Sequence, residues 1–495
     1  MSIEVDKKLK ILQDKFGYQN FRKGQDEIID AVLDPSVPGI LGIMATGGGK
    51  SLLFQIPSLI YKNMTIVVSP LISLMKDQVD TLQKLGIEAY YYNSSLTSKE
   101  KKSVLNCLQM GIVDILYVAP ERFDDSSFIE MLVELGVDLF AVDEAHCISA
   151  YGHDFRPSYT RLKSVIDKIG PKQIIALTAT ATPRVQNDIC EQLGIKNAKR
   201  FIKGFYRDNL IVKIEYSSGK ERFTKVVRKV QGYHKKGYMT GVVYTGTRKN
   251  AELICKRLQS SGVKTTFYHA GLSDKERKKV QEEWAENGGT IVATCAFGMG
   301  IDKSDVRFVI HANMPGNLEA WYQEIGRAGR DGNPSVCQLY YSGEDRYLQE
   351  FFIDLSNPTP DSVKEFWYWL NDYAMQENSF GGKVILKMTQ SKMADESGIK
   401  NVSACINALK KAKVVKTIAK GIYEITIFDN ADNAPIDYEL LEKKREEKID
   451  RLIEMFNFVN DNSQCRFHHI LGYFGDTMKY RCGKCDWCQK KDGRM

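Results

Sequence analysis

Strand-length apolar runs alternate with longer stretches of helical periodicity through the first 350 or so residues. The runs at 40–44, 65–69, 114–119, 139–143 and 173–178 have almost no polar face. That is the pattern of parallel strands covered on both sides. A second set, at 241–245, 264–269, 290–294, 307–312 and 336–341, repeats it. The alternation predicts two α/β lobes, 1–205 and 206–356, each a doubly wound parallel sheet. The Asn357-Pro358-Thr359-Pro360 stretch breaks the pattern, because proline disfavours helix at the residue before it. Beyond it the periodicity predicts a helix over 388–397, a turn at Gly398, a helix over 401–411 and a hairpin over 414–428 turning at Lys420-Gly421. That order is winged-helix-like and assigns 357–437 to a separate segment. A spacer over 429–437 leads to a charged helix over 438–460 and a cysteine-rich end, together the unit 438–495.

Composition narrows the class. In 495 residues, 43% are hydrophobic and 26% charged, near the values of soluble globular proteins. No apolar run reaches the roughly 18 residues of a membrane span, and the first residues lack the apolar core of a secretory leader. The eleven cysteines are therefore expected as thiols or metal ligands in a reducing, intracellular compartment. The net charge of +7 is modest, but its distribution is uneven. Nine lysines against Asp395 and Glu396 fall between Lys383 and Lys420. The segment is expected to meet DNA phosphates, or else to be a solvated lysine face.

Three strings carry chemistry. In Met44-Ala45-Thr46-Gly47-Gly48-Gly49-Lys50-Ser51, glycines between a strand and a helix let backbone N–H groups approach phosphates. Lys50 is placed to reach the β- and γ-phosphates and Ser51 to hold Mg²⁺. In Asp143-Glu144-Ala145-His146, an aspartate at a strand's carboxyl end can hold Mg²⁺, and the adjacent glutamate can polarise the attacking water. In the stretch from Gln323 to Gly332 (QEIGRAGRDG), Arg327 and Arg330 share a helical face and can neutralise charge on the γ-phosphate. The phosphate loop lies in one lobe and the arginines in the other. ATP is therefore expected between the lobes, where hydrolysis would open and close the cleft.

These strings, with FGY at 16–18, Phe21-Arg22, Gln25, SPLISLMKDQ at 69–78, APER at 119–122, TATAT at 178–182, YHAGL at 268–272 and AFGMGIDK at 296–303, run in the order of a known family. Residues 10–345 resemble superfamily 2 helicases and, within them, the RecQ family of DNA helicases. The resemblance implies two tandem RecA-like lobes and an ATP-dependent enzyme moving 3′-to-5′ on single-stranded DNA, unwinding branched or duplex DNA in recombination, repair or replication. It implies an adenine site at Tyr18, Arg22 and Gln25, phosphate contacts from Thr46, Gly47, Gly48, Gly49 and Lys50, catalytic roles for Gln323, Arg327 and Arg330, and a coupling segment at Thr178 and Thr180. The string 147–159 resembles the family's aromatic-rich DNA-sensing loop, so Tyr151, His153, Phe155 and Arg156 are expected against DNA. There the chain has Ala150-Tyr151 where the family usually has Gln-Trp, and Ala45 replaces a usual proline.

Cys465, Cys482, Cys485 and Cys488 have the spacing of a tetrahedral structural Zn²⁺ site, and the family carries a similar helical zinc module. The family's winged helix usually follows that module. Here a winged-helix-like segment precedes it, and neither that domain nor a further helical one is expected downstream. Expected cofactors are ATP, Mg²⁺ and Zn²⁺; the expected partner is DNA, single-stranded and branched or duplex, with no membrane and a monomeric enzyme. The compartment would be cytoplasm and nucleoid in a prokaryote or nucleus in a eukaryote. Two alternatives stay open: an RNA helicase, which the DEAH string allows, and a DNA-dependent ATPase or scaffold that does not unwind.

Overall fold

A computed structural model describes residues 2–152, 154–298, 303–377, 382–428 and 430–494. The first sheet has seven strands: β1 (Ile40–Met44), β2 (Met64–Val68), β3 (Ala89–Tyr92), β4 (Ile115–Val118), β5 (Val137–Val142), β6 (Gln173–Thr178) and β7 (Lys199–Lys203). All pair in parallel, in the order β3-β4-β2-β5-β6-β1-β7. The five expected runs are the five interior strands, and β1, β2, β4 and β5 are buried along their whole length. The two strands that the pattern missed are the edges. Edge strands are covered less, and AYYY and KRFIK carry half-exposed or exposed residues that mask an apolar run.

The second lobe repeats the plan with β8 (Leu210–Tyr216), β9 (Gly241–Tyr244), β10 (Thr265–Tyr268), β11 (Thr290–Ala293), β12 (Phe308–His311) and β13 (Ser335–Tyr341). Their order is β10-β11-β9-β12-β13-β8, again all parallel. The one unforeseen strand, β8, is also an edge.

A third sheet follows: β14 (Lys383–Lys387), β15 (Val415–Ala419) and β16 (Ile422–Thr426), antiparallel in the order β14-β16-β15. A helix at Pro360–Glu377 precedes β14, and helices at Gln390–Ser397 and Val402–Lys411 separate β14 from β15. Gly421 turns the hairpin at φ +74°. Helix, strand, two helices and a two-stranded wing is winged-helix topology. The sequence pattern supplied its second half; the opening helix and β14 complete it. Its core, with Phe366, Trp367, Leu370, Cys405, Leu409 and Ile425, is a cluster of its own.

The 23-residue helix Tyr438–Asn460 ties the parts together. Tyr438 and Leu441 pack on the winged-helix core. Leu452, Met455, Phe458 and Val459 join a core shared by lobe 1, lobe 2 and the cysteine module. Trp321 of lobe 2 lies against Phe458, ring centroids 4.9 Å apart. Phe474, after the helix Arg466–Tyr473, stacks on Phe205 at 4.7 Å and accepts a hydrogen bond from Gln186 of lobe 1 at 3.3 Å. Among the described residues, no helix is long and apolar enough to cross a membrane.

In lobe 2 an ion pair is buried. Arg222 Nη1 lies 2.8 and 2.6 Å from the Asp345 oxygens, with side chains 5% and 1% exposed. Asp345 also accepts from Asn313 Nδ2 and the Ser342 amide. Removing one partner of such a pair strands a buried charge, at about 3–5 kcal/mol. Arg222→Leu should therefore lower the urea midpoint of lobe 2 unfolding, while a surface control such as Lys279→Ala leaves it unmoved.

Candidate functional site

The phosphate loop leaves the carboxyl end of β1 and enters the helix Leu52–Ser58. Gly47 and Gly49 both hold φ at +77°, a region that side chains disfavour. Space requires glycine as well. A Cβ on Gly49 would meet Gln25 Nε2 at 2.5 Å, and one on Gly47 would lie 3.1 Å from Arg330 Cγ. Lobe 2 therefore covers the loop directly. The cleft between the lobes holds about 640 Å³ and is lined by Tyr18, Arg22, Gln25, Thr46, Gly47, Gly49, Lys50, Ser51, Asp143, Glu144, Gln323, Arg327 and Arg330. Gly48 lies beside it, in the adjoining recess bounded by Arg207 and Asn209. The nucleotide residues expected from sequence thus meet in one place.

Lys50 donates to the Met44 carbonyl at 3.2 Å. Burial pushes its pKa down and Arg330 pushes further, while Glu144 and Asp143 resist. Burial and then repulsion from Glu144 raise the Asp143 carboxyl. Glu144 goes the other way: burial opposes its charge, but His146, Lys50 and Arg327 hold it ionised. His146 Nδ1 sits 3.3 Å from Glu144 Oε2 and 2.8 Å from Thr178 Oγ1. Glu144 itself adopts φ +46°, and Lys413 is the other described non-glycine residue at positive φ. Such strain concentrates at functional sites. Two adjacent half-buried carboxylates that share the cleft with Ser51 also suit a divalent cation, which relieves their repulsion.

Gln323, on the lobe 2 helix Leu318–Ile325, donates to Thr180 Oγ1 at 3.1 Å. The coupling segment and the arginine-bearing helix are thereby bonded across the cleft. Arg207 donates to the carbonyls of Gly326 (2.9 Å) and Gly329, and Asn209 Nδ2 to Gly329 O at 2.7 Å. These two anchors of the arginine loop escaped the sequence reading. They lie about 120 positions away, and nothing local marks them.

The adenine-side residues behave unequally. Tyr18 is 54% exposed at the cleft mouth. Arg22 donates to Gly47 O at 2.6 Å. Gln25 is 1% exposed; its amide nitrogen donates to Gly48 O and Gly49 O, and its oxygen accepts from the Arg22 amide. In this conformation Gln25 grips the phosphate loop instead of facing open space.

The aromatic loop is similarly engaged. Arg156 donates to Pro70 O at 2.8 Å and pairs with Asp154. The Tyr151 ring lies under the Arg184 guanidinium, 3.6 Å from its centroid. Arg451 of the helix Tyr438–Asn460 donates to the carbonyls of Tyr151 and Gly152. Phe155 is 37% exposed, and His153 lies outside the described residues.

The four cysteine sulfurs of the C-terminal module lie within 4.8 Å of one another. The Cys482–Cys488 and Cys485–Cys465 separations are 3.8 and 3.9 Å. Zn–S bonds of about 2.3 Å give a tetrahedron edge of about 3.8 Å, so the buried set fits zinc. Arg466 braces it by donating to Asp486, Phe458 O and Asp461 O. Of the nearby cations, Lys484 donates to Asp208 O and Arg481 pairs with Asp492.

Paired parallel-sheet lobes, a glycine-rich loop in one and an arginine pair from the other are the architecture of the helicase type. Comparison with known proteins agrees. Family models for DEAD/DEAH box helicase, helicase conserved C-terminal domain and RecQ zinc-binding match residues 22–189, 221–332 and 425–489. The protein named ATP-dependent DNA helicase RecQ of Bacillus subtilis is 47% identical over 70% of this chain and 58% of its own length. The one named probable ATP-dependent DNA helicase RecS, also from Bacillus subtilis, is 38% identical over 71% of this chain and 70% of its own. A Haemophilus influenzae relative, also named RecQ, is 43% identical over 71% and 56%. The chain belongs to the RecQ family of superfamily 2 helicases, and it spans between half and three fifths of the RecQ-named relatives. Among solved structures, DUF1998 helicase MrfA bound to DNA superposes with TM-score 0.57 at 17% identity, covering 88% of this chain and 64% of that one. S. cerevisiae Dbp5 bound to RNA and ADP BeF3 gives 0.55 at 17%, covering 71% and 93%. Both show the fold.

Lys50→Ala should reduce ATP turnover by about a hundredfold or more while the chain still folds, checked by phosphate release and circular dichroism. Metal analysis should find one zinc per chain in the wild type and none in Cys485→Ser. That variant should also destabilise the module, since structural zinc binding is coupled to folding.

Proposed function

We propose that the chain is an ATP- and Mg²⁺-dependent DNA helicase that moves 3′-to-5′ on single strands and unwinds duplex or branched DNA in recombination, repair or replication. The observation that carries this reading is the single cleft in which the loop Thr46–Ser51 of lobe 1 faces Gln323, Arg327 and Arg330 of lobe 2. There Lys50 binds the phosphates, and Ser51 and Asp143 would hold Mg²⁺, which would offset phosphate charge. Glu144 orients the water that attacks the γ-phosphorus as the bond to the β–γ bridging oxygen breaks. Arg327 and Arg330 stabilise the charge that builds. Tyr18 stacks on adenine, Gln25 contacts its edge once released from the loop, and Arg22 lines the same end.

Phosphate release removes what the arginines grip, so the Gln323–Thr180 link is the point at which hydrolysis reaches the lobes. Tyr151, His153, Phe155 and Arg156 are assigned to single-stranded DNA, with Phe155 the most accessible of the described rings. Relatives at 38–47% identity are named DNA helicases, which favours DNA over RNA. The working division is 1–205 and 206–356 for the lobes, 357–437 for the winged helix and 438–495 for the zinc module. The enzyme is expected to act as an intracellular monomer.

Strand displacement on matched duplexes tests the reading. A 3′-tailed DNA duplex should separate only with ATP and Mg²⁺, and a 5′-tailed duplex or the RNA equivalent should not. Equal displacement of RNA would overturn the DNA assignment. DNA-stimulated hydrolysis without displacement would leave a non-unwinding ATPase.

A further inference from the structure

The long helix Tyr438–Asn460 and the aromatic loop enclose a second cleft, of about 210 Å³, which shares no lining residue with the cleft between the lobes. Its walls include Tyr151 and Phe155 of the loop and Leu440, Lys443 and Lys444 of the helix. Phe155 and Leu440 are 37% and 43% exposed, so the cleft offers apolar surface beside cations. The Lys443 ammonium is 5.8 Å from the Tyr151 ring centroid. Lys444 is half-buried and feels the charge of Lys411, at the end of the winged-helix helix Val402–Lys411.

Three acids line this cleft or act on Lys444: Glu447, Asp188 and Asp437. Glu447 pairs with Arg184 at 3.3 Å. Asp188 accepts from Ser149 Oγ and Gln192 Nε2. Asp437 caps its helix by accepting from the Leu440 amide at 2.8 Å. Lys411, Lys443 and Lys444 make no ion pair within 4.0 Å of any described carboxylate, and Lys411 and Lys443 are at least partly open to solvent. Like charges held together at a cleft, next to rings that a base can cover, are the pairing by which single strands are bound: stacking for bases and ammonium groups for the backbone.

We propose that this cleft is a DNA-binding subsite whose phosphate contacts come from Lys443 and Lys444 and continue onto Lys411 of the winged helix. The proposal rests on the DNA-helicase reading and extends it to two elements that neither lobe contains. Nucleic acid leaving the aromatic loop would cross the long helix at Lys443 and Lys444 and reach Lys411 of the winged helix. Arg184 competes for the same place. Its guanidinium covers one face of Tyr151, so a base stacking there must displace it or use Phe155.

The test uses the full chain. Lys411, Lys443 and Lys444 are changed together to alanine, and separately to arginine, with melting temperature and zinc content checked for each. Binding of a 3′-tailed DNA duplex is followed by fluorescence anisotropy across a salt series. The alanine protein should bind at least tenfold more weakly at low salt. Its slope of log affinity against log salt should fall by about 2–3, at about 0.7–0.9 for each phosphate that the lysines no longer neutralise. The arginine protein should keep the wild-type slope. A wild-type affinity and slope in the alanine protein would overturn the subsite while leaving the helicase reading intact. Failure of arginine to restore the slope would also overturn it, because the effect would then arise from packing. If the wild-type chain binds no DNA, the helicase reading itself fails.

Discussion

The fold is organised around a concentration of half-buried charge. Lys50, Arg327 and Arg330 converge from two lobes on Asp143 and Glu144 in a cleft of about 640 Å³. Each charge is costly to bury alone, and each is partly compensated by the others. Neither lobe can present this arrangement by itself. The parallel sheets explain why the parts meet. The loop after β1 and the carboxylates after β5 both emerge at the carboxyl edge of the first sheet, where open α/β sheets place their ligands. The arginines follow the helix Leu318–Ile325, which the shared core presses against that edge. Strain at Glu144 and the grip of Gln25 on the glycine loop are local consequences of this packing.

Much of this was legible in the sequence because buried parallel strands and phosphate-binding turns are local signals. Interior strands show as uninterrupted apolar runs, and a glycine-rich turn between strand and helix has few other uses. What stayed hidden depends on distant partners. β3, β7 and β8 are edges whose polar residues blur the pattern. Arg207 and Asn209 support the arginine loop from over a hundred positions away. The engagement of Tyr151 and Arg156 has no local signature either, since Arg184, Arg451 and Pro70 reach them only after folding. The winged helix was half legible for the same reason: Ile385 on β14 faces outward, so the strand alternates and gives no run.

The winged-helix segment changes what the cysteine module is attached to. Its cysteines and Phe474 lie against both lobes, while the helix that leads into it begins in the winged-helix core. Arg445 pairs with Asp354, and Asn401 donates to Asp354 O, so the inserted unit also rests on the end of lobe 2. The module thus connects the interface between the two lobes to the winged-helix segment.

That connection is one uninterrupted helix, and its stiffness has a mechanical meaning. At 1.5 Å per residue, Tyr438–Asn460 is a rod of about 35 Å. A rod of that length carries its far end through about 0.6 Å for each degree that it turns. Ten degrees of lobe rotation, transmitted without bending, would sweep the winged helix by about 6 Å, near the rise of two base pairs. Glu447 and Arg451 fasten the rod to lobe 1 and Arg445 fastens it to lobe 2, so a turn of that size would have to break ties on one side before it reached the winged helix.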